Sequence, residues 1–413
     1  MVGNKQWNWL YPVLAVVMTC GGGIDGFVVI PDSSSSLRIP CGLSSPLAAL
    51  SSTPVAFSDT SIPETFAPQV NSFAAMVERG MKERFGEENE KDFERVLESW
   101  RLAELGYEHY QYVGDEDQDP GETSLCRQHA HSFVRDLQAR TFWDDRDGAS
   151  FPWIESLEGR YAQIREEFQR VTSDVKRLQK EGNNIWAGAL SDDASSYGEG
   201  WKTLVLMDRG RWDPVNVQLF PKTSQILREC DIPVTEVFFA SMEPHSKIKV
   251  HSDFTNFVLT SHLALQIPCS GQNKCRLTIG DETRQWINGK VMVFDTSIMH
   301  SAVNESDETR YILMMRLWHP HLTPIEREAL QYLYDCLENP DMVHTDPDIR
   351  RMAEEKAKAA KAFPMDVLKK QRSNANANAY GFGTKTTSTT TTSSTSANKK
   401  KKKQQTQSKR SKS

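Results

Sequence analysis

Two polar side chains lie one residue apart in a segment that otherwise has the pattern of a β-strand. His251 and Asp253 are separated by a single residue in the stretch KIKVHSDFTNFVLTSHLALQIP, residues 247–268. Residues i and i+2 of a strand point to the same face, so an imidazole and a carboxylate would lie side by side. Such a pair can supply two adjacent ligands to one metal ion.

A third ligand is expected from another strand. His300 follows the short strand predicted at 290–295, in the stretch VFDTSIMHSAVN. Two histidines and one carboxylate on one face of a metal leave three coordination positions open, which is how non-haem Fe(II) oxygenases bind a co-substrate and O₂ together. Core histidines with satisfied hydrogen bonds are the alternative for each histidine alone, but they do not account for Asp253.

An arginine adds to this pattern. Arg310 lies ten residues after His300, at the start of the apolar strand YILMMRLW. A guanidinium inside a barrel needs an anionic partner, because an unpaired buried charge is costly, and it binds carboxylates through two parallel hydrogen bonds. In an iron oxygenase that partner would be the distal carboxylate of 2-oxoglutarate. An exposed arginine at the start of a strand is the alternative.

A second group of possible metal ligands lies in CRQHAH, residues 126–131. Cys126, His129 and His131 are close in sequence there, but the segment is predicted to be helical, and we expect a structural role for them. The seven cysteines of the chain form no CxxC pair and show no zinc-site spacing. Free or buried thiols are therefore expected.

The first half of the folded part is predicted to be helical. Apolar residues recur at helical spacing from Phe73 to Met81 and from Phe93 to Trp100. A longer stripe runs from Tyr161 to Leu178 and predicts one long helix that packs on a core.

From about residue 200 the apolar period changes from 3.6 to 2. Short β-branched and aromatic runs follow one another, separated by the turn sequences GD at 280–281 and NG at 288–289, the latter a strong hairpin signal. Many short strands at regular spacing predict an antiparallel barrel or jelly roll. Thr323, Pro324 and Glu326 then form a capping box, so a helix should begin there. The expected fold class is α+β: a double-stranded β-helix (jelly roll) with an N-terminal helical region packed on it.

Composition sets the domain organisation and excludes some functions. The chain has 413 residues, 38% of them hydrophobic and 25% charged, as is typical of a soluble globular protein. Its formal net charge is −6, and residues 399–413 carry eight Lys/Arg and no acid, so the rest of the chain has a charge of −14. Such an acidic body excludes a nucleic acid as the expected partner.

The two ends of the chain differ from its middle. Residues 1–26 contain a short apolar run and are predicted to be a signal peptide or short signal anchor. Residues 27–65 are predicted to be a Ser/Pro-rich linker or transit segment, and residues 370–413 are predicted to be a disordered Thr/Ser- and Lys-rich tail. We therefore expect the secretory pathway or a plastid reached through a signal sequence, with membrane attachment only through the N-terminal apolar segment. The expected parts between these ends are a helical region (66–200), an oxygenase core (201–328) and C-terminal helices (329–369).

Residues 140–328 resemble the aspartyl/asparaginyl β-hydroxylase family of 2-oxoglutarate oxygenases. The likeness rests on SFPWIESLEGRYAQIREEF, on GWKTLVLMDRGRWDPVNVQLFPKT, on VHSDFTNFVLTSHLALQIP and on the run from 280 to 327. The resemblance implies that His251 and His300 bind iron. It also implies that Arg310 binds the distal carboxylate of 2-oxoglutarate and that His262 lies near the C1 carboxylate.

This chain departs from the animal member of the family at three positions near the site. That enzyme has a glycine in place of Asp253, an arginine in place of Thr260, and a serine in place of Ala240, next to Ser241. The sequence here therefore has a complete ligand triad. We expect Thr260 and Ser241 to lie beside the co-substrate.

The resemblance implies an Fe(II)/2-oxoglutarate-dependent dioxygenase that uses O₂ to hydroxylate aspartyl or asparaginyl residues of a peptide or protein. One alternative is a 2-oxoglutarate oxygenase that acts on a lipid or small metabolite. Another is a non-catalytic jelly-roll binding module, which would have no use for His251, Asp253, His300 and Arg310 together.

Overall fold

The computed structural model describes residues 72–114, 124–144, 150–188, 196–268, 271–366 and 369. The chain divides into two units, residues 1–367 and 368–413, and every element below belongs to the first. The predicted signal segment, the Ser/Pro-rich linker and the Lys-rich tail lie outside the described residues. No helix in the described part is long and apolar enough to cross a membrane.

The α-helices of the described part occur in three groups, before, between and after the strands of the barrel. They are α1 (Phe73–Phe85), α2 (Glu94–Glu104), α3 (Ile154–Gly159), α4 (Tyr161–Thr172), α5 (Val175–Glu181), α6 (Asn216–Leu219), α7 (Pro221–Glu229), α8 (Pro324–Glu338) and α9 (Pro347–Lys361). The capping box at the start of α8 is present as predicted, with Thr323 and Glu326 each bonded to the backbone of the other.

The strands are short, as the sequence predicts. They are β1 (His109–Tyr112), β2 (Arg127–Ser132), β3 (Trp201–Asp208), β4 (Arg211–Trp212), β5 (Val234–Met242), β6 (Ser246–His251), β7 (Phe254–Thr255), β8 (Val258–Gln266), β9 (Cys275–Ile279), β10 (Glu282–Gln285), β11 (Val291–Phe294), β12 (His300–Asn304) and β13 (Arg310–Trp318).

Two antiparallel sheets form the barrel. The larger has the strand order β11-β8-β13-β5-β3-β4, and the smaller has the order β10-β9-β12-β6. Between β5 and β13 the chain passes back and forth between the two sheets, so strands that are distant in sequence become neighbours. This is the arrangement of a jelly roll. The structure thus contains the predicted jelly roll within a chain of mixed α and β content.

Strand alternation decides which side chains face the space between the sheets. On β13, Ile312 belongs to the core between the two sheets, whereas Leu313 belongs to the core on the outer side of the larger sheet. Because successive side chains of a strand point to opposite faces, Arg310 lies on the same face as Ile312. The period-two pattern therefore turns this arginine inward.

Helices cover the outer side of the larger sheet and one end of the barrel. Ile164 and Phe168 of α4 are buried against Leu263 and Leu313. At the end of the barrel, α1, α2 and α8 share a second core, to which Trp318 also belongs.

Three local predictions were wrong. The segment CRQHAH contributes to strand β2, not to a helix, because it pairs with β1 on one side and with β7 on the other. The stripe from Tyr161 to Leu178 forms two helices, α4 and α5, because the side chain of Asp174 caps a new helix start. The NG turn at 288–289 does not close a hairpin, since β10 and β11 belong to different sheets. The GD turn at 280–281 does join a hairpin, β9–β10.

Candidate metal centre and co-substrate cavity

The two predicted histidine ligands lie directly opposite each other on neighbouring strands. His251 ends β6 and pairs with His300 at the start of β12, and their ring centroids are 4.2 Å apart. Each ring is oriented by the backbone two residues earlier: Nδ1–H of His251 donates to the Lys249 carbonyl at 2.8 Å, and Nδ1–H of His300 donates to the Ile298 carbonyl at 2.9 Å. A carbonyl can only accept, so both Nε2 atoms keep a free lone pair, as in metal-binding histidines.

Asp253 completes this group from the short connection between β6 and β7, not from the strand of His251 as the sequence predicted. Its Oδ1 lies 3.6 Å from Nε2 of His251, and the candidate ligand atoms of His251, Asp253 and His300 all lie within 4.8 Å of one another. Tyr197 donates a 2.9 Å hydrogen bond to Oδ1, and the guanidinium of Arg316 binds Oδ2. Nε2 of His251 is buried and has no hydrogen-bond partner among the described residues. This donor set fits a divalent metal ion.

The protonation states of Asp253 and His300 suit metal binding. Burial alone would raise the pKa of Asp253, but the charge of Arg316 and the two neighbouring imidazoles hold it well below its usual range. Burial, together with His251, lowers the pKa of His300 to about 4. The group therefore presents an ionised carboxylate and a neutral imidazole at neutral pH, the forms that bind metals.

Arg310 is buried, and no acidic side chain in the described part of the chain pairs with it. Its Nη2 approaches the sulfur of Met242 at 3.1 Å, and its guanidinium lies 4.4 Å from the centroid of the Trp286 ring. Its Nε and Nη1 atoms have no hydrogen-bond partner within the described part of the chain. Burial lowers the pKa of Arg310 to about 10, so the side chain remains a cation at neutral pH. An anion is the partner that such a site lacks.

His262 presents a second unused donor. Nε1–H of Trp286 donates to its Nδ1 at 3.1 Å, which places the proton of the neutral imidazole on Nε2. Burial is the largest cause that holds the pKa of His262 well below its ordinary value, and the charge of Arg310 is the second. Nε2 is buried and has no partner in the described structure, so it can donate to an anion.

These groups share one cavity between the two sheets. Its lining includes His251, Asp253, Thr260, His262, His300 and Arg310. The structure therefore brings together six of the seven predicted site residues. The hydroxyl of Thr260 is 3.1 Å from that of Thr296, which also lines the cavity.

The seventh residue, Ser241, is not part of the cavity. Its hydroxyl donates to the Lys202 carbonyl at 3.4 Å, and its neighbours Ala240 and Met242 belong to the core between the sheets. Strand alternation therefore places Ser241 on the outer face of β5. We exclude it from the candidate co-substrate site.

The structure adds residues that the sequence analysis missed. Arg316 lies six positions after Arg310 on β13. This even spacing predicts that both side chains face inward, so the sequence did contain an indication of the role of Arg316. Tyr197 and Trp286 lie outside the strands, and nothing in the sequence indicated their contacts with Asp253 and His262.

Comparison with known proteins supports the predicted resemblance. Residues 158–320 match the family described as "Aspartyl/Asparaginyl beta-hydroxylase". Relatives include the mouse (Mus musculus) protein "Aspartyl/asparaginyl beta-hydroxylase", 29% identical over 48% of this chain and 26% of that protein. They also include the Rhizobium tropici protein "Ornithine lipid ester-linked acyl 2-hydroxylase", 29% identical over 43% of this chain and 61% of that protein. The chain spans about a quarter of the length of the mouse protein.

Among solved structures, a Cupin 2 conserved barrel domain protein from Salinispora arenicola is 14% identical. The match covers 32% of this chain and 86% of that structure, with a TM-score of 0.21. The resemblance to the aspartyl/asparaginyl β-hydroxylases is confirmed by the family match and by the named relatives, which are hydroxylases.

Proposed function

We propose that this relative of the aspartyl/asparaginyl β-hydroxylases is an Fe(II)- and 2-oxoglutarate-dependent dioxygenase that hydroxylates an aspartyl or asparaginyl residue of a peptide or protein. One observation carries the proposal: the buried cation Arg310, which has no acidic partner among the described residues, lines the same cavity as the group His251–Asp253–His300. A cavity that has a metal ion beside one part of its lining and the guanidinium of Arg310 beside another can bind both carboxylates of a small dicarboxylate.

His251, Asp253 and His300 would hold the metal. Tyr197 and Arg316 fix the carboxylate of Asp253 through its two oxygens, the role that hydrogen-bonding neighbours play in metal sites. When bound, Fe(II) supplies the oxidation of substrate by O₂, coupled to the decarboxylation of 2-oxoglutarate to succinate and CO₂.

The remaining cavity residues would hold the co-substrate. Arg310 binds the distal carboxylate through paired hydrogen bonds, and Nε2–H of His262 donates to an oxygen of the other carboxylate. Trp286 supports both side chains, because its ring lies beside the guanidinium and its Nε1–H fixes the tautomer of His262. The apolar side chains of Phe294 and Ile312 line the same cavity and would exclude water from it.

An acyl lipid is the second candidate substrate, and a separate cavity favours it. This cavity lies where the end of the barrel meets α2 and α8, and its lining is mostly apolar, with Trp100, Phe257, Leu330 and Leu333 among its residues. Arg316 lines it too and binds Asp253, so the cavity adjoins the metal group. An acyl chain would fit such a lining, and a relative from Rhizobium tropici is named an acyl 2-hydroxylase.

Succinate release tests these proposals. The purified protein with Fe(II), 2-oxoglutarate and O₂ should release succinate, more so with Asp/Asn peptides than with acyl lipids, and His300→Ala should release none. Greater stimulation by acyl lipids would favour the second candidate. If neither iron nor 2-oxoglutarate bound to a folded protein, the jelly roll would be a non-catalytic binding module.

The location of the protein is a separate proposal. We propose that residues 1–26 direct it to the secretory pathway or, through that route, to a plastid. A fusion of residues 1–65 to a fluorescent protein should enter one of these compartments, and a fusion that stays in the cytosol would contradict the proposal.

A further inference from the structure

A second group of metal-binding side chain types lies on the β1–β2 hairpin. His129 and His131 are two residues apart on β2 and therefore share one face. Tyr110 of β1 pairs with His129, which brings Glu108, just before β1, to the same face. The carboxylate and the two imidazoles have candidate ligand atoms that all lie within 4.8 Å of one another. Cys126, which the sequence analysis had grouped with the two histidines, is not part of this cluster.

The distances match a single tetrahedral ion. Nε2 of His129 lies 3.1 Å from Oε2 of Glu108, and Nε2 of His131 lies 3.6 Å from Oε1. Metal–nitrogen bonds of about 2.0–2.1 Å at tetrahedral angles separate two donor atoms by about 3.3 Å and two imidazole centroids by about 5.2 Å. The centroids of His129 and His131 are 5.0 Å apart. The ring centroids of His251 and His300 are 4.2 Å apart. Two imidazoles that bind one metal at a right angle, with the same bond lengths, would have centroids about 4.5 Å apart, so the spacing of His251 and His300 is closer to the right-angle geometry.

Neighbouring aromatic side chains hold the three ligands in place. Tyr110 donates a 2.6 Å hydrogen bond to Oε2 of Glu108 and stacks on the ring of His129 at 4.2 Å. Phe254 stacks on His131 at 4.2 Å and meets the edge of His129 at 4.7 Å. Phe254 has a φ of 58°, a strained conformation for a bulky residue, and such residues concentrate at functional sites.

The ionisation of this group also suits a metal. Burial lowers the pKa of His129, so its imidazole is neutral at neutral pH. Burial opposes the ionisation of Glu108, but hydrogen bonds from Tyr110 and His129 outweigh it and lower the pKa of the carboxyl group. The hairpin thus presents two nitrogen donors and one carboxylate.

We propose that Glu108, His129 and His131 form a second metal site, for a divalent late first-row ion such as Zn²⁺. Two imidazoles and a carboxylate with tetrahedral spacing are the ligand set of three-ligand zinc sites, in which water takes the fourth position. Glu108 is 46% exposed, so the ion can enter from solvent. The site is separate from the iron group and does not depend on the proposed oxygenase activity.

The position of the site indicates what the ion would do. Ser252 lies between His251 and Asp253, and its hydroxyl donates to the His129 carbonyl at 2.6 Å. Strand β2 also pairs with β7, which begins immediately after Asp253. A metal that ties β2 to Glu108 would therefore steady the segment that carries two of the proposed iron ligands.

Binding of Co²⁺ by the full-length, chelator-treated protein tests the proposal, because four-coordinate Co²⁺ absorbs visible light much more strongly than six-coordinate Co²⁺. Wild type should bind two Co²⁺ ions, one of them with the intense bands. His300→Ala should lose the weakly absorbing ion and keep the intense bands, and His131→Ala should do the reverse. His109→Ala is the matched control, because His109 lies opposite Ala130 in the same hairpin, outside the proposed ligand set.

Zn²⁺ titrations should agree with these spectra. The loss of a ligand in His131→Ala should weaken Zn²⁺ binding at the hairpin by at least about 100-fold, and Tyr110→Phe, which removes only the hydrogen bond to Glu108, by about 10-fold. Circular dichroism identifies any variant that fails to fold, and Glu108→Gln then replaces it. One Co²⁺ per chain, lost in His300→Ala and unaffected by His131→Ala and Glu108→Gln, would show that the cluster is only an exposed ion pair and would overturn the proposal.

Discussion

Replacing Arg310 with methionine should have opposite effects on the free and the co-substrate-bound protein. Arg310 is 1% exposed, and burial lowers its pKa from the ordinary value of an arginine to about 10. At about 1.4 kcal/mol per pKa unit, keeping this charge inside the unliganded protein costs on the order of 3 kcal/mol. Because the folded-state pKa lies below the unfolded value, the cost is present in full below about pH 10 and falls as the pH rises further. Arg310→Met removes it, and the free energy of unfolding at pH 7 should rise by about 1–3 kcal/mol.

The same substitution should abolish stabilisation by the co-substrate. Losing a buried charge-assisted pair costs about 2–5 kcal/mol, which corresponds to about 30-fold to several thousand-fold in 2-oxoglutarate affinity. At a 2-oxoglutarate concentration about 100 times its Kd, the wild type should gain about 2.7 kcal/mol. Arg310→Met should gain less than about 1 kcal/mol at that concentration.

Chemical unfolding with and without 2-oxoglutarate, in the presence of Mn²⁺ as a redox-inert substitute for iron, measures both effects. Arg276→Met is the matched control, because Arg276 is a half-exposed arginine on β9 that is paired with Glu305; it should change neither quantity by more than about 0.5 kcal/mol. A free Arg310→Met protein that is less stable than the wild type, yet binds 2-oxoglutarate equally well, would refute the reasoning. Arg310 would then be a packing residue, and the co-substrate site would lie elsewhere.

Four further variants test the parts around this arginine. Asp253→Ala should strongly weaken iron binding, measured as iron per chain after dialysis, whereas normal content and turnover would make Asp253 a supporting residue only. Arg316→Met should lower iron affinity by about 10- to 100-fold because it leaves the carboxylate of Asp253 without its cation; an unchanged iron titration would contradict this. Trp286→Phe should raise the KM for 2-oxoglutarate and leave iron content unchanged, since it removes the donor that fixes the tautomer of His262, and an unaltered KM would show that this bond is dispensable. Phe168→Ala should lower the free energy of unfolding by about 3–5 kcal/mol in a denaturant titration, and a loss below about 1 kcal/mol would mean that α4 does not pack tightly on the barrel.

The side chains that the sequence analysis grouped together, His251, Asp253, His300 and Arg310, line one cavity in the structure. His251 on β6 and Arg310 on β13 line the same cavity, as strand alternation predicts, whereas Asp253 reaches that cavity from the short connection between β6 and β7. The same rule shows why Ser241 was misplaced. The animal enzyme has its serine at the position of Ala240, and the prediction assigned the role of that serine to the next residue, Ser241. A shift of one residue moves a side chain to the other face of its strand.

Other features could not be predicted because they depend on contacts between distant segments. CRQHAH has no strong period of its own, and its strand exists because β1 and β7 pair with it. The carboxylate of the hairpin cluster, Glu108, is about twenty residues from its histidines, so no local spacing indicates it. Likewise, the NG dipeptide favours a tight turn, but whether that turn closes a hairpin or passes between sheets depends on the barrel.

The charges within the barrel explain why a dianion would be selected. Arg316 and Asp253 neutralise each other, and Arg310 adds one positive charge that no acidic side chain among the described residues contacts. A divalent metal brings this total to plus three. Burial raises the pKa values of Glu236 and Asp295 to about 7, and both groups interact with Arg316, so together they offset part of this charge. A dianion with one carboxylate at the metal and the other at Arg310 would then leave the interior close to neutral. A monocarboxylate would leave the interior one charge unit more positive than a dianion does and the guanidinium of Arg310 without an anion, a costly state in a low-dielectric cavity. The same cavity should therefore discriminate against 2-oxo acids that lack the distal carboxylate.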